Sequence, residues 1–441
     1  MLTDLKTPGV YINEVNAFPP SAVAVATAVP AFIGYTPKAE YDGDSLHMIP
    51  VRISSWSEFE TFFVIPGQSP YRPLYHLTPG AAGKTYTFDG ATYNLQPDPG
   101  TLYYLYNMVK MYFENGGAIA YVVSVGGYGD PTGEGLAPGT DIAQNPHVKK
   151  SDLEDGLALL EKVDEVTMYL APEATLLEGA ECDALHQSMI AQAGDMQTSM
   201  VIADIQGGYE PDPLMWPELI KNFREGSGTQ HLRFACSYWP WLKTTVMGPE
   251  QFDYRNFADL EAVAAIINPE AAPNPAAEKL LEMIAADADH ASVNQNHAAL
   301  MMASKRYKKL ISIVQAQSNI MPPSGCLAGI WAQTDSNFGV FRAPANVAPM
   351  GVNDLTLPIT DAQQENLNVD AVTGKSVNAI RYFNGVGILV WGSRTLDGNS
   401  QDWRYVPVRR TVTMIEQSLK LALRAFVFAP NDSNTWSTIK A

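Results

Sequence analysis

Charged residues are scarce in this chain. Asp, Glu, Lys and Arg together make up 17% of its 441 residues, against about 25% in an average globular protein. A free monomer with so little surface charge would be prone to associate through exposed apolar patches. Hydrophobic residues make up 46% of the chain, enough for full-size cores. The composition favours a subunit covered by other subunits, although many enzymes share it.

Cysteine is also rare. Cys182, Cys236 and Cys326 are odd in number and far apart, with no metal or redox spacing, so we expect folding in a reducing compartment. No secretory signal is visible in the opening residues MLTDLKTPG. The longest apolar run, 22–35, is too short to span a bilayer and contains Pro30. We therefore expect assembly in the cytoplasm without direct membrane insertion.

Motifs for catalysis or cofactor binding are missing. The sequence contains no GxSxG, HExxH, CxxC or Walker pattern. The glycine-rich stretch SVGGYGDPTG follows a predicted strand, but its glycine spacing differs from that of a dinucleotide loop, and Pro131 stands where a helix should begin. We interpret it as a loop.

Two further groups of residues invite a catalytic interpretation. His290 and His297, with Asp287 and Asp289, suggest a metal cluster, but the histidines lie about two helical turns apart, which favours a solvated helix face. Asp204 follows a strand where an α/β enzyme would carry an acid, yet turn capping explains it without a partner. We expect no cofactor, no metal and no enzymatic activity.

The net charge of −18 argues against binding to nucleic acid or an anionic membrane. The charge is uneven, because residues 301–441 contain 14 Lys and Arg against 9 Asp and Glu. An acidic body therefore carries a mildly basic C-terminal part. This asymmetry arises either by chance or from a surface that meets an acidic partner.

Residues 1–20 predict an extended arm, because Pro8, Pro19 and Pro20 exclude a helix. The residues of the arm that favour a strand are Val10, Tyr11, Ile12 and Val15. A short β-prone segment with no partner nearby in sequence must pair elsewhere or stay disordered.

From Ser21 to Val29 the alternation of Val and Ala predicts a strand, followed by a buried strand in PAFIGYT. Further along, strands alternate with helices, which predicts a mostly parallel sheet with helices on its faces. The predicted helices are Trp56–Phe63, Thr101–Asn115, Ser151–Lys162 (with Ser151 as its N-cap), Glu178–Ala193, Leu214–Arg224 and Phe257–Ile267, with more helix from about Glu278 to Gln317.

The stretch 322–347, PPSGCLAGIWAQTDSNFGVFRAPANV, combines Pro and Gly with aromatic and small apolar residues and holds only two charges, Asp335 and Arg342. So many prolines and glycines argue against a helix. We predict short extended pieces and turns that another part of the protein covers.

Near the C-terminus, a hairpin is predicted around Asn384-Gly385, and RRTVTMIEQSLKLALRAF predicts an amphipathic helix. Its apolar stripe consists of Val412, Ile415, Leu419, Leu423 and Phe426. A separate polar stripe consists of Arg410, Gln417, Lys420 and Arg424. The residues from Asn434 onward predict the start of another helix.

Several stretches together resemble the contractile tail sheath proteins of phages and of phage-derived injection systems. They are TPGVYINEV (7–15), VPAFIGYT (29–36), FENGGAIAYVVSV (113–125), the stretch 322–347, GVGILVWGSRTL (385–396), WRYVPVRR (403–410) and FVFAPNDSNTW (426–436). The resemblance is most specific over 322–436, whereas 150–318 matches mainly by its α/β pattern.

The resemblance implies an α/β plus α+β fold in five segments. These are an N-terminal extended arm (1–20), an N-terminal part of the core (21–72), a small β insertion (73–100), a subtilisin-like, non-catalytic α/β middle domain (101–318) and a C-terminal sheath assembly domain (319–441), itself built with N-terminal segments. Because the family's chain usually continues past the segment at 426–436, the last domain is expected to be cut short.

The resemblance also implies function. Copies would polymerise around a rigid inner tube, and on a baseplate trigger the sheath would shorten and drive the tube through a target envelope. The implied partners are other sheath subunits, an inner tube protein, and baseplate and terminator proteins. The final location would be a virion or an extracellular or cytoplasmic injection particle; the sequence does not separate these.

Two sets of site residues follow from this function. In related sheaths, terminal arms add strands to a neighbour's sheet, which is β-augmentation, so Val10, Tyr11, Ile12 and Val15 are predicted to pair with another subunit. The basic residues Arg410, Lys420 and Arg424 are predicted to face the tube. The alternatives are a subtilisin-like α/β hydrolase, which needs a Ser or Cys with His and Asp in one pocket, and another self-assembling shell protein.

Overall fold

The computed structural model of the chain describes residues 24–67, 71–140, 142–287 and 290–440. The chain divides into two compact units. The larger unit comprises Ala26–Thr411, and the described part of the smaller unit comprises residues 24–25 and 412–440.

Helices account for much of the described chain. In chain order they are α1 (Trp56–Phe63), α2 (Leu105–Glu114), α3 (Lys150–Leu159), α4 (Gly179–Met196), α5 (Trp216–Gly226), α6 (Leu260–Ile267), α7 (Pro275–Ala286), α8 (Val293–Ala303), α9 (Lys305–Ser318), α10 (Ser324–Phe338), α11 (Asp361–Asn368), α12 (Val406–Leu423) and α13 (Ser433–Lys440).

The strands are short. They are β1 (Pro30–Tyr35), β2 (Glu40–Tyr41), β3 (Asp44–Ser45), β4 (Pro50–Ile53), β5 (Tyr75–Pro79), β6 (Thr85–Phe88), β7 (Ala91–Pro97), β8 (Ala120–Gly126), β9 (Met168–Leu170), β10 (Met200–Asp204), β11 (Ala235–Trp239), β12 (Leu242–Thr244), β13 (Ile320–Met321), β14 (Val352–Leu355), β15 (Asn378–Phe383) and β16 (Gly387–Val390).

One eight-stranded sheet organises the larger unit, in the order β16-β15-β11-β10-β9-β1-β8-β4. Its six inner strands pair in parallel, and an antiparallel strand closes each edge. The predicted mostly parallel sheet is therefore confirmed. Three smaller sheets accompany it, in the orders β13-β12-β14, β5-β7-β6 and β2-β3.

Helices cover both faces of the main sheet, which explains its continuous apolar strands. In β1, the ring of Phe32 packs edge-on against Tyr112 of α2, with centroids 5.7 Å apart. The next residue, Ile33, approaches Gly156 of α3. Because consecutive strand residues point to opposite faces, α2 and α3 lie on opposite sides of the sheet, and every residue of β1 is buried.

The prediction of turns and extended pieces over 322–347 is wrong. This stretch contains α10, a buried helix of 15 residues. Pro322 and Pro323 stand just before the first turn of α10, where the missing N–H groups cost nothing, and Gly339 ends the helix with φ of +101°. Gly325 and Gly329 lie inside the helix because α10 packs closely on α2 there.

The approach of the two helices leaves no room for side chains at these glycines. A Cβ on Gly325 would lie 2.5 Å from the carbonyl oxygen of Met108, and one on Gly329 would lie 2.5 Å from that of Tyr112. The glycines therefore mark a helix–helix contact, which outweighs their low helix propensity.

Two further predictions need correction. Residues 24–29 form no strand. Backbone groups of this segment bond to the side chain of Thr167: Val29 N–H donates to the Thr167 hydroxyl oxygen at 2.8 Å, and that hydroxyl donates to the Thr27 carbonyl at 3.0 Å. Ser151 is not the N-cap of α3. Lys149 takes that place, and its N–H donates to the Tyr35 hydroxyl oxygen at 2.9 Å.

The predicted C-terminal elements are confirmed. β15 and β16 form an antiparallel hairpin around Asn384-Gly385. The amphipathic helix is α12, which begins in the larger unit and ends in the smaller one, and α13 is the helix predicted from Asn434 onward. Within the smaller unit, Val25 N–H donates to the Ser418 hydroxyl oxygen at 3.1 Å.

Candidate functional site

The four residues predicted to pair with a neighbouring subunit, Val10, Tyr11, Ile12 and Val15, lie outside the described residues. Their pairing stays a prediction. The structure does describe the other predicted residues: Arg410 lies near the start of α12, Lys420 in its last turn, and Arg424 just after it.

Arg410 does not lie on an exposed basic stripe, which corrects the prediction for this residue. Its guanidinium forms an ion pair with Asp335 of α10, with an Nη1–Oδ1 distance of 3.0 Å, and the two side chains are 4% and 6% exposed. It also donates to the Thr27 carbonyl at 2.8 Å and lies 4.6 Å from the Trp331 ring centroid. Arg410 thus stabilises the start of α12 from within.

A sequence signal for this pair existed. Asp335 is a lone acid in an apolar stretch, and buried acids are almost always paired. Its partner is 75 residues away, so only the fold identifies it.

Lys420 and Arg424 remain candidates for a basic contact surface. Lys420 lies in the last turn of α12 and Arg424 in the short turn that follows, and both are exposed. Their contact with a tube stays a prediction.

The apolar stripe of α12 is largely open to solvent. Ile415, Leu419 and Leu423 are 46%, 48% and 42% exposed, and Phe428, just beyond the helix, is 98% exposed. Large apolar side chains at helical spacing that stay exposed are typical of an interaction surface.

The outer edge of β16 is partly open. Val390 accepts from Asn346 N–H at 2.8 Å and donates to the Val347 carbonyl at 2.9 Å. Toward Gly387 this edge meets no backbone partner among the described residues, and nearby Tyr382 and Val386 are 61% and 68% exposed. An unpaired edge of this kind can accept a strand from another chain.

The structure brings together three side chains that the sequence analysis did not connect. Cys182, His186 and Asp204 line one cavity of about 100 Å³ beside the carboxyl end of β10. Cys182 Sγ lies 3.8 Å from His186 Nδ1. A signal was available, since the two are four residues apart on a predicted helix and thus on the same face.

These groups are in the wrong state for nucleophilic catalysis. Burial raises the pKa of the Cys182 thiol well above its usual range and lowers that of His186 to about 4, so both are neutral at pH 7. Reactive cysteines need the thiolate and an electropositive, accessible setting. The arrangement lacks both.

Asp204 is committed to a structural bond. Its Oδ1 accepts from Ser324 N–H at 3.0 Å and its Oδ2 from the Ser324 hydroxyl, so the carboxyl group caps the start of α10. Burial raises the pKa of Asp204 to about 7. The sequence analysis interpreted Asp204 as a turn cap; in the structure it instead caps the start of a buried helix, α10.

His, Cys, Asp and Glu residues do not cluster as metal ligands in the described parts of the chain. No group of three or more His, Cys, Asp or Glu residues there could hold a metal ion. His297 bonds the Tyr307 hydroxyl, with Nδ1 2.9 Å from the oxygen. Among the described helices, none is long and apolar enough to cross a bilayer.

No protein-family model and no curated protein matches the sequence. Solved structures do match along nearly the whole chain. The anti-feeding prophage (AFP) helical sheath in its contracted state matches at a TM-score of 0.53 with 23% identity, covering 98% of this chain and 80% of that one.

Two other structures agree. The six-fold symmetrised AFP baseplate structure contains a chain with a TM-score of 0.54 and 22% identity, covering 98% of this chain and 80% of that one. The contracted sheath complex of an extracellular contractile injection system, PVC, matches at a TM-score of 0.53 and 22% identity, covering 99% and 79%. The resemblance found in the sequence is therefore confirmed at the level of the fold.

Proposed function

From the fold that it shares with the sheaths of contractile injection systems, we propose that this chain is a structural subunit of a contractile sheath. The observation that carries the proposal is the match to a contracted helical sheath over 98% of the chain. The low charge content and the exposed apolar stripe of α12 support it, because both suit a subunit covered by its neighbours.

Copies of the subunit stack around an inner tube in an extended state. When a baseplate releases the sheath, it shortens and pushes the tube through a target envelope. The free energy is stored in the assembled, metastable polymer, and subunit bodies move as rigid units. The partners are therefore other sheath subunits, a tube protein, and baseplate and terminator proteins, with assembly in the cytoplasm of the producing cell.

Subunits are linked by strand exchange. The arm residues Val10, Tyr11, Ile12 and Val15 add a strand to a neighbour's sheet, and the open part of the β16 edge is the acceptor that the larger unit offers. Main-chain hydrogen bonds then hold the polymer together while side-chain contacts change.

Lys420 and Arg424 meet acidic side chains of the tube. Each exposed pair contributes only about 0–1 kcal/mol, but the contact repeats in every subunit. Weak, repeated pairs suit a sheath that must release the tube when it contracts.

We further propose the five-segment organisation given above, with a middle domain of subtilisin-like, non-catalytic type. The parallel inner strands support it. So does the chemistry of the cavity, where Cys182 and His186 are neutral and Asp204 is held by Ser324.

Electron microscopy tests the function. We expect the purified chain, alone or co-expressed with a tube protein from the same source, to form striated hollow cylinders. A Cys182→Ser variant serves as control and should assemble equally well, since the thiol has no part in assembly. Monodisperse monomers under all conditions, or loss of a measured hydrolytic activity in the control variant, would contradict the proposal.

A further inference from the structure

Arginine side chains and aromatic rings cluster where the segment between β16 and α12 packs on the residues that precede β11. Arg233 lies 5.2 Å from the ring centroid of Phe234 and 5.5 Å from that of Trp403. Arg409 lies 4.4 Å from the same Trp403 ring. The indole therefore has two guanidinium groups close to it.

A second ring completes the group. Arg394 and Arg404 both lie 5.5 Å from the ring centroid of Tyr405. The backbone holds them in place, because Arg394 and Tyr405 form an antiparallel bridge and Thr395 N–H donates to the Arg404 carbonyl at 3.0 Å. We call Arg233, Arg394, Arg404, Trp403 and Tyr405 the arginine–aromatic cluster.

The three arginines of the cluster differ from most others in the protein because they have no carboxylate partner among the described residues. Six arginines of the described chain form ion pairs with Asp or Glu: Arg52, Arg224, Arg255, Arg306, Arg381 and Arg410. No residue in the described ranges forms a hydrogen bond or ion pair with the guanidinium of Arg233, Arg394 or Arg404. The Nε atoms of Arg233 and Arg404 are buried without an acceptor.

Acids on the same segment do not form ion pairs with the arginines of the cluster. Asp397 feels the charge of Arg233, yet its pKa is raised by burial and it forms no ion pair. Asp402 is exposed and holds no arginine of the cluster. The positive charge of the cluster is therefore not neutralised within the described chain.

The cluster is built like the centre of a protein interface. Tyr405 is 42% exposed, while Trp403 and the three arginines are half-buried. Arg, Trp and Tyr are the residues enriched at interface hot spots. A guanidinium that lies against a ring is already oriented, so binding a carboxylate costs less side-chain entropy.

The same chain carries an acidic region whose charge is complementary to that of the cluster. Residues 150–226, which contain α3, α4 and α5, include 16 Asp and Glu against 4 Lys and Arg. Six of these acids are exposed and form no ion pair with a described residue: Asp155, Glu161, Glu178, Glu181, Asp212 and Glu225. In a polymer of identical subunits, every copy offers both surfaces.

We propose, building on the sheath function, that the arginine–aromatic cluster of one subunit binds the acidic start of α4, with Glu178 and Glu181, in a second copy. Carboxylates are the natural ligands of oriented guanidinium groups, which they accept in bidentate pairs. Nucleic acid is a poor alternative, because a chain of net charge −18 repels it.

Charge reversal tests the contact. In an Arg394→Glu/Arg404→Glu variant we expect the sedimentable polymer to fall by about tenfold or more, because two attractive contacts per subunit become repulsive. The matched control is Arg342→Glu, an exposed arginine that also lies on a ring, 5.7 Å from that of Phe338, but outside the cluster. It should assemble like the wild type.

Compensation identifies the partner. Adding Glu178→Lys/Glu181→Lys to the same chain should restore the polymer to within about twofold of wild type, since every interface then carries the swapped charges. An Arg394→Gln/Arg404→Gln variant removes the charges without reversing them. We expect it to assemble less while its monomer unfolds at the wild-type transition, which separates loss of the contact from misfolding.

The outcomes are distinct. Normal assembly of the charge-reversed variant, no rescue by the lysines, or retention of nucleic acid by the cluster would overturn this inference while wild-type cylinders still form. If the wild type forms no cylinders at all, the proposed function itself fails.

Discussion

Arg410 and Asp335 form a bidentate ion pair in the interior of the larger unit, and Thr27 forms hydrogen bonds with both residues. The Thr27 hydroxyl donates to Asp335 Oδ2 at 2.6 Å, while the Thr27 carbonyl accepts from Arg410 at 2.8 Å. Arg410 and Thr27 each lie within two residues of a boundary of this unit. One buried acid, Asp335, therefore anchors both ends of the chain segment that forms the larger unit.

Removing one partner of this pair should be costly. We expect Asp335→Ala to lower the free energy of unfolding by about 3–5 kcal/mol, because Arg410 is left as a buried, unpaired charge. Denaturant unfolding measures the effect. The control is Asp354→Ala, which breaks the exposed pair with Lys243 (2.8 Å) and should cost at most about 1 kcal/mol. Equal losses would contradict the assignment.

The α2–α10 contact predicts a steric effect at glycine. Gly325→Ala and Gly329→Ala should each destabilise the protein by about 1–3 kcal/mol through overpacking against backbone carbonyls, although Ala is the better helix former. Thermal unfolding is the measurement. Gly127→Ala, where a Cβ meets nothing within 4 Å, should change little. A stabilised Gly329→Ala protein would rule out the close approach.

Stability should depend on pH through Glu173. Its Oε1 accepts from the N–H groups of Tyr104 (3.1 Å) and Leu105 (2.7 Å) at the start of α2, and burial raises its pKa to about 7. The ordinary value is about 4.3, so the folded state binds a proton that the unfolded state releases. This contribution is fully present below about pH 4 and is lost as pH rises through about 7.

The melting temperature should therefore fall between pH 5 and pH 8, and Glu173→Gln should make that fall smaller. Part of the slope will remain, because burial raises the pKa of Asp204 to about 7 as well. Asp155→Asn, which changes an exposed carboxyl group, should leave the slope as it is. A Glu173→Gln protein with an unaltered slope would show that this carboxyl is already ionised at pH 5.

The arm can be tested by truncation. A chain lacking residues 1–15 should be a soluble, folded monomer that no longer polymerises, because the exchanged strand is missing. Size-exclusion chromatography and electron microscopy measure this. Normal cylinders from the truncated chain would eliminate the role proposed for Val10, Tyr11, Ile12 and Val15.

The tube contact can be tested by charge reversal in the smaller unit. Lys420→Glu/Arg424→Glu should leave the folded monomer unchanged but reduce co-assembly with the tube, because about 0–1 kcal/mol per pair is lost in every subunit. Co-sedimentation of tube and sheath is the readout, with Lys221→Glu on α5 as control. Unchanged co-assembly would count against a tube-facing role.

The sequence by itself determined the elements whose signal is local. Period-two and continuous apolar runs identified β1, β10 and β11, the 3.6-residue period identified α12, and the turn residues Asn384-Gly385 identified the hairpin. The sheath-like fold followed from motifs spread along the chain. For the strands, the helix and the hairpin, the information lies in neighbouring residues, because secondary-structure periodicity and turn geometry are properties of short segments.

Only the tertiary structure decided the rest. From the sequence, the glycines of α10 indicate turns and Arg410 belongs to an exposed polar stripe. In the structure, the glycines allow the close approach of the α2 backbone, and Arg410 is buried against Asp335, 75 residues away. The cavity at Cys182 and His186 depends on Asp204, which lies on a different element. A glycine or a charged residue can lie at the surface or in the core, depending on which residues pack against it. Those residues are distant in sequence, so only the fold determines them.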